Sequence, residues 1–182
     1  MRHSKESSKK ALYAVCRRKG RSYNVCKSEK GRSIQEHDLF LGKFSRPIDA
    51  KNRFTLPPVF QAELTGGAFM TQGFDRNLQI MSAKAFQQIY RRATSLNIAD
   101  PLARLLLRLF LGTATRLQGE KTTVSVPEAL KEFAGLQAEA ILIGQGDYIE
   151  VWSPELWKEQ EAQVRDAEAN SSRFAALPVA IH

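Results

Sequence analysis

The stretch Ile48–Phe60, IDAKNRFTLPPVF, decides the fold because the chain repeats it: at an offset of 70, Gln118–Leu130 reads QGEKTTVSVPEAL. Lys51 falls on Lys121, Thr55 on Ser125 and Pro57 on Pro127. A second match follows in the same order, NLQIMSAKAF (Asn77–Phe86) against YIEVWSPELW (Tyr148–Trp157), at an offset of 71. There Leu78 meets Ile149, Ile80 meets Val151, Ser82 meets Ser153 and Phe86 meets Trp157. Two ordered matches at nearly one offset mark an internal duplication.

Each copy reads as the same succession of elements. In the first, a strand at residues 43–48 runs into a tight turn at 49–52, and a second strand at 53–56 closes a hairpin. Pro57 ends that strand and Pro58 suits the first turn of a short helix reaching Leu64. Gly66 and Gly67 break the helix before strands at 68–71 and 78–81. Ser82 then caps a helix that reaches Ser95. The second copy repeats the pattern with strands at 113–117 and 124–126, a short helix at 127–133 stopped by Gly135, and strands at 140–143 and 148–152. Ser153 and Pro154 open a last helix that fades near Asn170. Trp152 and Trp157 read as core, since Phe86 fills the matching place in the first copy. Between the copies, Leu102, Leu105, Leu106, Leu109 and Phe110 lie on one face of a helix that begins at Asp100 and Pro101. That face is expected to be buried between elements or between subunits.

Upstream of the duplication the texture changes. Of the 27 Lys and Arg and 19 Asp and Glu in the 182-residue chain, residues 1–38 hold 11 and 4, leaving 16 against 15 for the rest. Most of the net charge of +8 therefore sits in the leader, and a DNA contact made by the repeats has to come from a local patch. Few large apolar residues interrupt this segment, so it reads as a disordered basic leader. It is either a DNA-binding arm or the product of a start placed too far upstream, and the second is preferred. Cys16 and Cys26, with His3 and His37 nearby, lack the paired spacing of a zinc site and read as free thiols. No apolar run approaches the ~18 residues of a membrane span, and the first residues lack the pattern of a secretory signal. A cytoplasmic protein is expected.

The chemistry concentrates in the turn Asp49-Ala50-Lys51-Asn52-Arg53. An aspartate at the start of a turn accepts backbone N–H groups within it, and Asn52 tolerates the left-handed backbone that such a turn needs. Lys51 and Arg53 would then project from an ordered turn. An antiparallel ribbon fits the DNA major groove, arginine pairs with guanine O6 and N7 through two parallel N–H groups, and lysine suits phosphate. On the motif alone, an ion pair between Asp49 and Arg53 that serves only the turn explains the residues equally well.

Three strings together carry a family resemblance. LFLGKFSRPIDAKNRFTLP (from Leu39) resembles the opening of MraZ proteins, LRLFLGTAT (Leu107–Thr115) is similar to their mid-chain signature, and ILIGQGDYIEVWSPELW (Ile141–Trp157) is similar to the end of their second module. The resemblance covers roughly residues 39–169. It implies an α+β fold of two tandem swapped-hairpin, β-barrel-like (double-psi-like) modules of the SpoVT/AbrB type with short helices. The chain would divide into a leader at 1–38, a first module at 39–83, connecting helices at 84–112, a second module at 113–155, and a C-terminal helix and tail at 156–182. The resemblance also implies a nucleoid-associated transcriptional regulator, a ring-shaped homo-oligomer that binds direct repeats of double-stranded DNA in the promoter of its own gene and neighbouring division and cell-wall genes. Carried over by position, Arg53 is the base reader, Lys51 and Asn52 lie beside it at the DNA, and Asp49 structures the turn. The second copy departs from the pattern: Gly119 stands at the place of Asp49, Thr122 at that of Asn52 and Thr123 at that of Arg53.

Catalysis has little to work with. The three histidines, His3, His37 and His182, lie in the expected tails, Gly144-x-Gly146 lacks the third glycine of a dinucleotide loop, and neither a phosphate-binding loop nor a nucleophile elbow occurs. No enzyme activity, cofactor, metal, membrane association or small-molecule substrate is expected. The rival from another class is an architectural or antitoxin-like, partner-binding oligomer without operator specificity, which the near-neutral repeats and the altered second turn would suit.

Overall fold

The computed structural model describes residues 39–117, 122–175 and 177. The expectations placed on the leader, including those for His3, Cys16, Cys26 and His37, lie outside this range, as do Gly119, Lys121 and His182. The described chain runs β1 (Lys43–Pro47), β2 (Arg53–Thr55), α1 (Pro58–Gln61) with a 3-10 turn at Ala62–Leu64, β3 (Ala68–Gln72), β4 (Leu78–Ser82), α2 (Ala83–Thr94) and α3 (Pro101–Phe110). The second half repeats the order with β5 (Thr115–Leu117), β6 (Thr123–Ser125), α4 (Glu128–Phe133), β7 (Glu139–Gly144), β8 (Tyr148–Trp152) and α5 (Pro154–Arg165), followed by α6 (Ala167–Ala175). The class is α+β, with antiparallel strands and short helices, as expected. Local chemistry sets the boundaries. Ser82 accepts the Ala85 N–H at 3.2 Å and Ser153 accepts the Leu156 N–H at 3.3 Å, so the two copies cap α2 and α5 alike.

The strands do not close hairpins within their own copies at this point, which corrects the expected pairing of β1 with β2. β1 lies antiparallel to β7, with Lys43 opposite Ile143 and Pro47 opposite Glu139. β2 lies antiparallel to β6, with Arg53 opposite Ser125 and Thr55 opposite Thr123. β5 in turn pairs with β3, the equivalent of β7 in the first copy. Each copy thus lends its first strand to the third strand of the other. The result is a six-stranded sheet in the order β1-β7-β8-β4-β3-β5 and a separate ribbon of β2 and β6. The physical reason is burial. A three-residue strand in an isolated hairpin covers almost no apolar surface, whereas this arrangement buries Phe54 and Leu56 of the first copy with Val124 and Val126 of the second in one core.

The expected barrel-like closure is absent among the described residues. The six-stranded sheet is open, with β1 and β5 at its edges. Pro57 and Pro127 directly follow the residues after β2 and β6, so the ribbon stops after three residues a side and cannot carry the ladder around. It contributes side chains instead. Phe54, Leu56, Val124 and Val126 join Phe60, Met70, Leu78, Ile80, Leu142, Ile149 and Val151 in one buried core.

Around this core the two helical units differ. Phe86 of α2 stacks on Phe69 of β3 at 4.1 Å and on Phe110 of α3 at 5.6 Å. Its counterpart Trp157 packs edge-on to the buried Trp152 at 6.0 Å. The apolar stripe of α3 is divided: Phe110 is buried, while Leu102 is 71% exposed and Leu105 60% exposed. The last helix is not continuous to Asn170 as expected. It breaks at Asp166, whose carboxylate accepts the Ala169 N–H at 3.1 Å and starts α6. The buried Asn170 side chain then donates to the Gln163 and Val164 carbonyls that the break leaves open, at 2.8 and 3.0 Å.

The similar strings fall where backbones approach closely. A Cβ on Gly112 would meet the Arg108 carbonyl oxygen at 2.4 Å, and one on Gly144 would meet the Phe40 carbonyl at the same distance. Thr113, next to Gly112, donates to the Leu109 carbonyl at 2.6 Å and bonds the buried Thr71 hydroxyl at 3.0 Å, which fixes the end of α3 against β3.

Candidate nucleic-acid interface

The turn between β1 and β2 is ordered by one carboxylate. Asp49 Oδ1 accepts the Lys51 and Arg53 backbone N–H groups, each at 2.9 Å. Its own N–H donates to the Arg53 carbonyl at 2.8 Å, and the Asn52 N–H donates to the Asp49 carbonyl at 2.9 Å. Asn52 takes the left-handed conformation, with φ 56°, which its short polar side chain allows. In the second copy Gly119 and Thr123 stand at the places of Asp49 and Arg53, so the acid and the arginine that order this turn belong to the first copy.

The second oxygen of the same carboxylate holds the arginine. Arg53 Nε donates to Asp49 Oδ2 at 2.9 Å, and Nη2 lies 2.8 Å from it. The ion pair considered from the motif is present, and it does not consume the guanidinium. Arginine has five N–H donors in a planar fork. Asp49 engages the side edge formed by Nε and Nη2, and the end edge formed by Nη1 and the outer hydrogen of Nη2 has no partner among the described residues. That end edge presents two parallel N–H donors, which match guanine O6 and N7. The Arg53 side chain remains 45% exposed, while the neighbouring Phe54 is buried at 2% and anchors the strand from beneath. The Arg53 hydrogen bond holds the Asp49 carboxyl below its ordinary value of 3.8; desolvation opposes this, and the two backbone N–H groups add to the lowering.

Lys51 is exposed at the tip, and Asn52 is half-buried. The Asn52 side-chain amide does not point free: Nδ2 donates to Glu128 Oε2 at 2.5 Å, across 76 residues of sequence. Its carbonyl accepts the Val126 N–H at 2.8 Å. Sequence reasoning placed Asp49, Lys51, Asn52 and Arg53 together correctly as one turn but missed Glu128. The only signal for it was the offset alignment, where Glu128 stands opposite Pro58; its meaning depends on the pairing of β2 with β6. At the far end of the sheet, Lys43 pairs with Glu161 at 2.5 Å and sits over the Trp157 ring at 5.1 Å. That lysine holds the Glu161 carboxyl below its ordinary range, with Arg165 adding to the effect.

Comparison with known proteins places the chain in a family. A family model described as "MraZ protein, putative antitoxin-like" matches residues 39–109 and 119–176. A "Transcriptional regulator MraZ" of Thermomicrobium roseum is 36% identical over 142 residues, covering 76% of this chain and 99% of that relative. Proteins of the same name from Clavibacter michiganensis subsp. michiganensis and Roseiflexus castenholzii are 35% and 33% identical over 138 residues each; both alignments cover 75% of this chain, with 92% and 94% of the respective relatives. The chain belongs to the MraZ family.

Proposed function

We propose that the protein is a sequence-specific DNA-binding transcriptional regulator, a repressor that reads direct repeats in the promoter of its own gene and the division and cell-wall genes beside it. The relatives' name, transcriptional regulator, supports the general role. One observation carries the specific one: Asp49 binds the side edge of Arg53 within an ordered turn and leaves the end edge of the half-exposed guanidinium without a partner among the described residues. Arg53 reads a guanine, Lys51 contacts phosphate, and Asn52 holds the turn's left-handed position. Residues 39–83 and 113–155 act as the two swapped-hairpin modules, the exchange of β1 and β5 between copies being this chain's form of the swap. No catalytic role is proposed, since the repeats contain neither histidine nor cysteine. Among the described residues no helix is long and apolar enough to cross a membrane, and the regulator works at the nucleoid.

One such turn binds feebly, because a single bidentate pair supplies ~1–3 kcal/mol of discrimination. A homo-oligomeric ring solves this by presenting several turns at once, and engagement of one raises the effective concentration of the next. Two surfaces support self-assembly. α2 and α3 with their link expose Tyr90, Leu96, Ile98, Leu102 and Leu105, and residues 83–110 carry five Lys and Arg against one Asp. α5 and α6 expose Val164 and Phe174, and residues 154–175 carry five Asp and Glu against three Lys and Arg. α2 packs on β3 and β4 and α5 on β7, so these complementary surfaces lie on different halves of the sheet, as a head-to-tail contact between copies requires.

The test is a titration of the full chain against its own promoter fragment and a scrambled fragment at fixed salt, beside Arg53→Ala. A preference for the promoter that Arg53→Ala abolishes supports the regulator. Equal binding of both fragments, or none, replaces it with the architectural or partner-binding reading.

A further inference from the structure

The β2–β6 ribbon places the turn of the first copy beside the first turn of the second copy's short helix, α4. Asn52 lies next to Val126 and Glu128, and Thr122 lies next to Leu56: the Val126 N–H donates to the Asn52 carbonyl and the Leu56 N–H to the Thr122 carbonyl, both at 2.8 Å, and the Asn52 amide donates to Glu128. The two ends are related by the duplication but are chemically different. At one end a carboxylate of the second copy accepts the Asn52 amide. At the other, proline stands in place of the acid and threonine in place of the asparagine. Asn52 therefore has its N–H, its carbonyl and its side-chain amide all engaged, the first by Asp49 and the other two by the second copy. Of these, the bond to Glu128 is charge-assisted, a stronger class than the neutral bonds beside it. Lys131, 3.9 Å from the other Glu128 oxygen, completes the surroundings of the carboxylate, whose side chain is 63% exposed.

We propose that Glu128 is a positioning residue for DNA reading: the second copy, which lacks an acid–arginine turn of its own, holds the turn of the first in its left-handed conformation and so fixes the direction of Arg53. The inference rests on the reading of that turn as the base reader. It has a counter-intuitive sign. A carboxylate close to a DNA-binding turn repels phosphate, so electrostatics alone requires that its removal strengthen binding to every fragment. Positioning requires that its removal weaken the distinction between fragments.

The full chain, Glu128→Gln and Glu128→Ala are titrated against the own-promoter and scrambled fragments at one salt concentration, and hydrogen exchange is followed in the peptide spanning residues 48–56. Glutamine keeps an acceptor oxygen at the same reach without the charge. The expected result is that Glu128→Gln retains the promoter preference, while Glu128→Ala reduces it roughly three- to tenfold, the scale of one charge-assisted bond at a partly exposed site, and speeds exchange in the turn peptide at an unchanged thermal midpoint. Equal strengthening on both fragments by both variants, or an unchanged preference in Glu128→Ala, overturns the inference alone. A wild-type chain with no preference overturns the base-reading role itself and this inference with it.

Discussion

Replacing Arg53 by lysine separates charge from geometry at the turn. The guanidinium divides its donors between Asp49 on its side edge and an open end edge, so one turn can make one bidentate guanine pair. Lysine keeps the positive charge, and with it the attraction to Asp49 and to phosphate, but its three donors radiate from a point and match the paired O6 and N7 acceptors less well than a planar fork held in place by Asp49. The loss is then confined to base discrimination. It amounts to ~1–3 kcal/mol for each engaged turn, or about 5- to 150-fold in the ratio of promoter to scrambled affinity. With two turns engaged, the factors multiply to about 25-fold at the least. Because no charge is removed, the slope of log affinity against log salt stays that of the wild type. Anisotropy titrations of both fragments at three or more salt concentrations read both quantities. A lysine variant that keeps the wild-type ratio would refute the assignment of Arg53 as a bidentate reader, and one that changes the slope would show that the substitution disturbed phosphate contacts instead.

Three further outcomes follow from the geometry. Phe54→Ala, at a residue only 2% exposed beneath the reading turn, should cost about 3–5 kcal/mol in urea unfolding; a loss under ~0.5 kcal/mol, the scale of a surface substitution, would remove the ribbon from the core. Leu102→Asp together with Leu105→Asp charges the exposed stripe of α3 and should lower the mass measured by light scattering after size exclusion; an unchanged mass places the subunit contact elsewhere. For pH, the folded Asp49 carboxyl titrates below its ordinary value of 3.8, so its contribution is complete above that value and is lost only as pH falls through the lowered one. The promoter preference of residues 39–182 should accordingly stay level from pH 8 to pH 5 at constant salt, and a decline within that window would require another titrating group at the site.

The order and type of elements were legible because their causes are local. Pro57 and Pro127 stop strands, Ser82 and Ser153 cap helices, and the duplication lets each half check the other. What the residues did not reveal is which strands meet. Lys43 and Ile143, or Arg53 and Ser125, are neighbours only because apolar surface is buried when the copies exchange strands, and no local periodicity encodes that choice. The open sheet and the separate ribbon follow from the same exchange. Asp49, Lys51, Asn52 and Arg53 could be grouped from the sequence since the bonds among them span at most four residues; Asn52 reaches further through its side chain to Glu128 and its backbone carbonyl to Val126. Glu128 could not, for its bond to Asn52 crosses the duplication. The break at Asp166 was missed for another reason: an aspartate that restarts a helix looks the same, on paper, as one exposed on a continuous helix, and only the burial of Asn170 shows which it is.

The central claim is that Arg53 lies against guanine in the major groove, and dimethyl sulfate footprinting of the gene's own promoter tests it most directly, because the reagent methylates the N7 atom that the end edge of the guanidinium would occupy. The account predicts guanines protected at regular spacing, once per repeat, by the wild-type chain and exposed again with Arg53→Lys at concentrations where the variant still covers the DNA. Promoter DNA fully bound by the wild-type chain with every guanine N7 still reactive would contradict it.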